Sequence, residues 1–165
     1  MANAAAPTRS SRTGSDVARL AAAGALAGLA GGAGMALLAM ILSVTVGLSP
    51  WHPVDVAVAV TFGLPSLGAV AAPVGLALHL AASALLGMLF AALRGEYPIE
   101  VLLPAGALYG LGIWLAVRYV LFPSASFAAA GAAPALVTEY LVYGSLLWLL
   151  VPIDSWLARR RTHPA

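Results

Sequence analysis

Four side chains capable of proton or ion chemistry lie inside long apolar runs of this sequence: His79, Arg118, Glu139 and Tyr143. An ionisable group in such a place is costly unless it is paired, hydrogen-bonded or serving a proton, an ion or a ligand. His79 lies six residues past Pro73, Arg118 five before Pro123 and Glu139 five past Pro134. Each therefore sits ~7 to 9 Å along its helix from the outer boundary. An imidazole, a guanidinium and a carboxylate at one level predict an Arg118–Glu139 ion pair between antiparallel neighbours. His79 then donates to Glu139 or to a water, and Tyr143, one turn deeper than Glu139, extends the network. Two roles stay open for this polar cluster: pinning one span to the next, or handling a proton or small polar ligand from the outer side.

Other chemistries find little support. His52, Asp55, His79 and Glu139 are the metal donors able to converge from the outer side, but no HxxH, HxxxH or ExxH pair is present and the donors are scattered, so no metal site is expected. The chain has no cysteine, hence no thiolate ligand, disulfide or cysteine nucleophile. A single interior histidine without a CxxCH motif offers no haem attachment. No P-loop, GxSxG or HExxH motif occurs. The expectation is a non-enzymatic protein without a cofactor.

The elements that position these groups are set by solvent. Of 165 residues, 62% are hydrophobic and 8% charged, too few polar side chains to cover a water-soluble globule. A helix needs roughly 20 apolar residues to cross a bilayer. Four runs meet that length, over about 17–48, 72–93, 101–122 and 135–153. The fold class is thus all-α: a polytopic membrane protein of four transmembrane helices, with a short outer interfacial helix over Val54 to Gly63. A signal peptide competes for the first run, but Leu20 to Leu48 is 29 residues, about twice a signal core, which favours an uncleaved span whose glycine cluster offers a place to bend. Prolines 50, 53, 73, 98, 123, 134 and 152 mark the proposed ends, and Pro104 fits the first turn of span three.

All eight basic residues are Arg, and six lie in the tails: Arg9, Arg12, Arg19, Arg159, Arg160 and Arg161. With Arg94 in the short turn before Pro98, and no Arg between Ser49 and Ala71, the positive-inside rule puts both termini in the cytoplasm. Residues 1–16 are expected to be a disordered cytoplasmic tail, 17–153 the transmembrane domain and 154–165 a basic cytoplasmic tail. No basic face is interleaved with base-reading side chains, so no nucleic-acid partner is expected. The partners implied are the lipid bilayer and a larger membrane complex or a second copy.

Small residues at i, i+4 spacing mark helix contact faces. Span one carries Gly24, Gly28 and Gly32, span two Gly75, His79, Ser83 and Gly87, and span three Gly106, Gly110, Trp114 and Arg118. The glycine face of span one is also the surface on which an accessory subunit would dock against a larger complex. The two halves are alike, since Gly24-Ala25-Leu26-Ala27-Gly28 parallels Gly106-Ala107-Leu108-Tyr109-Gly110. In that alignment His79 and Glu139 are equivalent.

The interior His79, the LPAGALYGLGIW opening of span three, the FPSASF outer turn and the EYLVYGSLLWLL span with its Arg-rich end make residues 78–160 resemble the YagU type of small bacterial inner-membrane proteins and related four-span families. In those families the place of Glu139 often looks like His. The resemblance implies a bacterial integral membrane protein and supplies no activity.

Overall fold

Four helices long and apolar enough to cross a membrane frame the chain: Gly14–Thr45, Ala72–Leu93, Ile99–Leu121 and Pro134–Arg160. The computed structural model describes residues 14–62, 71–94, 98–121 and 133–162, with the side chains of 60–62, 71, 133 and 161–162 left aside. The expected tail over 1–13, the turn centre at 95–97, Gly63 and the outer connection with Phe122, Pro123 and Phe127 lie outside the described residues.

The elements are α1 (Gly14–Thr45), α2 (His52–Phe62), α3 (Ala71–Leu93), α4 (Ile99–Ala116) continued by a π-helical turn at Val117–Leu121, α5 (Ala133–Leu146), a 3₁₀ turn at Leu147–Leu149, and α6 (Leu150–Thr162). "Outer" denotes the end carrying Thr45, Ala72 and Leu121, and "inner" the end carrying Gly14, Leu93 and Ile99. α1 begins at Gly14 rather than beyond the expected tail, and Asp16 in its first turn suits the positive helix end. It stays helical through its glycine cluster. Gly47, at φ +79°, stops it: Gly47 N–H donates to Val44 O at 3.0 Å and Leu48 N–H to Ser43 O at 2.9 Å. This Schellman pair satisfies the last carbonyls, and the left-handed backbone needs glycine.

Two proline expectations are corrected. α4 starts at Ile99, so Pro104 falls inside the helix rather than in its first turn. Pro152 does not end span four. It occupies the first turn of α6, where its missing N–H costs little, and the helix runs on to Thr162 through residues expected to be tail.

The closest helix contacts are built from small residues, while many large aliphatic side chains face outward. Ala23, Ala27, Gly28, Gly32 and Ser83 are buried, whereas Leu85 and Leu108 are 62% and 68% exposed. α1 lies between α3 and α5, α5 packs on α4, and α6 returns along the inner part of α1. A Cβ on Gly24 would stand 2.6 Å from Gly87 O, so α1 and α3 touch backbone to backbone. Gly28 and Gly32 meet Ser83 on the same seam. Gly106 and Gly110 do likewise against Gly144 and the Tyr140 carbonyl of α5. Dispersion contact and interhelical hydrogen bonds hold helices together where water supplies no driving force, and small residues maximise both. Gly75 also packs closely, but against Val54 and Val58 of α2 rather than against another span.

Candidate functional site

Three polar side chains cross between helices and bond to main-chain oxygens. His79 of α3 donates through Nε2 to Gly32 O of α1 at 3.0 Å. Tyr143 of α5 donates its hydroxyl to Ser83 O of α3 at 2.8 Å. Tyr109 of α4 donates to Leu86 O of α3 at 2.9 Å, and its ring packs on Phe90 with centroids 5.1 Å apart. Each removes an unsatisfied donor from an apolar interior, and together they join all three other spans to α3. Bonds of this kind contribute about 0.6–2 kcal/mol each.

Glu139 behaves otherwise. It is 7% exposed, one turn outward of Tyr143, and no hydrogen bond or ion pair joins its carboxyl to another described residue. His79 reaches Gly32 while Tyr143 lies against Gly31, so along the axis of α1 His79 and Glu139 differ in depth by about one helical turn, on opposite flanks of that helix. His79 commits Nε2 to Gly32, and Nδ1 is the ring nitrogen outside that bond.

The expected Arg118–Glu139 ion pair is absent among the described residues, whose ion pairs run from Arg19 to Asp16 and Asp154. Register explains it. Gly106 faces Gly144 and Gly110 faces Tyr140, which sets Leu111 opposite Glu139. Arg118 lies seven residues beyond Leu111, ~10 Å further out, opposite the start of α5. Its guanidinium stands 5.3 Å from the Tyr119 ring within the π-helical turn. Residue counts along each helix alone do not fix depth; the interlocked glycines set the register of α4 against α5. The same contacts shift the internal repeat: Gly87 and Gly144 are the matching positions against Gly24 and Gly106, so His79 corresponds to Leu136, one turn from Glu139.

His52 and Asp55 sit on α2, and among the described residues no three His, Asp or Glu side chains gather to hold a metal ion. The cavity lined by Ile99, Glu100, Leu103 and Trp148 lies toward the inner end, away from Glu139. Gly24, Gly28 and Gly32, the face read as a docking surface, are packed against α3 within the chain.

Sequence reasoning passed over Tyr109, Gly31, Gly34, Gly144 and the Arg19–Asp154 pair. Gly144, four residues after Tyr140, shares the i, i+4 signal of the other small-residue faces, and Tyr109 lies within the repeated glycine motif. Gly31 and Gly34 receive Tyr143 and Leu146, forming a second seam on α1 that the first had masked. No protein family, no curated protein and no solved structure matches this chain.

Proposed function

We propose that this chain is a non-enzymatic, multi-pass protein of the bacterial inner membrane, both termini cytoplasmic, in which Glu139 takes up and releases a proton in the outer third of the bundle. Membrane residence is supported by a surface carrying many large aliphatic side chains and by helix contacts made through glycine, alanine and serine. In water that arrangement would waste its apolar surface; in lipid it places bulk against acyl chains and lets backbones approach. The Arg distribution supports the orientation.

The observation carrying the proton reading is Glu139, a residue only 7% exposed whose carboxyl has no hydrogen bond or ion pair to another described residue, while His79 and Tyr143 spend their donors on main-chain oxygens. A carboxyl retained only to pin helices would hold a partner, because a lone charge in an apolar interior costs several kcal/mol. A proton is the smallest group that removes the charge. The close glycine contacts on both sides leave little room for a larger solute. His79, at a similar depth on the other flank of α1 and with Nδ1 outside its bond to Gly32, is the second group of the bundle able to carry a proton.

The test is proton flux in proteoliposomes under an imposed pH gradient, followed with an internal pH dye. Wild type is expected to collapse the gradient faster than empty vesicles, and Glu139→Gln to return it to the empty-vesicle rate. Equal rates for wild type, Glu139→Gln and empty vesicles would overturn the proposal.

A further inference from the structure

Span four is made of two helices. α5 ends at Leu146, the 3₁₀ turn Leu147–Leu149 follows, and α6 carries Pro152 in its first turn. Proline cannot donate to the carbonyl four residues back, so the ladder is interrupted where a 3₁₀ segment already loosens it, and mid-helix 3₁₀ stretches often mark hinges. Beyond this joint α6 leans on α1. Arg19 Nε lies 3.4 Å from Asp154 Oδ1, with the side chains only 25% and 19% exposed, and Arg19 Nη2 lies 3.7 Å from Asp16. One turn deeper on each helix, Ala23 and Leu150 are fully buried. Neither Arg19 Nε nor Asp154 Oδ1 makes a hydrogen bond, so the contact is electrostatic and is lost when either charge is removed.

We infer that α6 is a jointed half-helix clasped to α1 by Arg19 and Asp154: with the pair intact α6 lies along α1, and with it broken α6 swings about residues 147–152 while the other helices keep their packing. Glycine seams and three crossing hydrogen bonds hold α1, α3, α4 and α5 to one another, and the Gly24–Gly87 contact carries that hold into the inner half. α6 is secured by this charge pair and by the packing of Leu150, Ile153 and Leu157 on the core. The inference does not depend on Glu139.

The absence of native cysteine permits the test on the full chain in nanodiscs. Spin labels at Val17→Cys and Ser155→Cys, both exposed positions, report the α1–α6 distance by pulsed electron paramagnetic resonance. Labels at Leu37→Cys and Leu78→Cys report the α1–α3 distance nearer the outer end. Arg19→Gln and Asp154→Asn should each raise the long-distance population of the first pair roughly fivefold. The swap Arg19→Asp with Asp154→Arg should restore it, and the second pair should not move. An α1–α6 distance unchanged by breaking the pair would overturn the inference. So would equal lengthening of both pairs, which would mean loosening of the whole bundle.

Discussion

The hydroxyl of Tyr143 reaches Ser83 O at 2.8 Å across the face of Gly31, so one side chain of α5 spans the gap that a glycine of α1 leaves open. That single contact sets the depth of α5 against α3 and, one turn outward, brings Glu139 and His79 to the flanks of α1.

Tyr143→Phe keeps the ring and removes the hydroxyl. It is expected to lower unfolding stability in detergent micelles by about 0.6–2 kcal/mol, the range for interhelical bonds in membranes. Ser83→Ala, which keeps the accepting carbonyl, should not reproduce that loss through this bond. The check is reversible unfolding of the two variants beside wild type.

Glu139→Leu separates a proton site from a structural pin. With no described partner to strand, the substitution is expected to leave the unfolding midpoint unchanged or raised while proton flux disappears. A loss of roughly 3–5 kcal/mol, the scale for breaking a buried pair, would mark Glu139 as a packing residue instead.

Gly144→Ala and Gly112→Ala make a matched pair on the same bundle. A Cβ at 144 would meet the Gly106 backbone and lie 2.9 Å from Gly110 N, whereas nothing lies within 4 Å of one at 112. Gly144→Ala should force α4 and α5 apart and lower the thermal midpoint. Gly112→Ala should be neutral, or stabilising by up to about 1 kcal/mol through helix propensity. Identical midpoints for the two would contradict the α4–α5 seam.

Gly47→Ala tests the end of α1. At φ +79° an L side chain costs roughly 1–2 kcal/mol, so the variant should be destabilised by about that amount, with faster amide exchange at Leu48, whose N–H closes the cap onto Ser43 O. Unaltered exchange at Leu48 would count against the cap.

The number of long apolar helices, their approximate limits and most small-residue faces were legible in the sequence, because helix length and hydropathy act along one dimension of the chain, whereas Pro104 and Pro152 did not mark the ends expected of them. Gly24, Gly28, Gly87, Gly106 and Gly110 needed no more than i, i+4 counting to be recognised as contact positions, and each is one. Which helices those faces meet, and at what register, was decided only in three dimensions. The interlock of Gly106 with Gly144 moves Arg118 beyond Glu139, the reach of His79 ends on Gly32 rather than on a carboxylate, and the return of α6 along α1 turns two expected tail charges, Arg19 and Asp154, into a pair. Depth measured from a proline is a distance along one helix; the meeting of two side chains depends on how two helices slide against each other, and that is set by backbone contact at glycines.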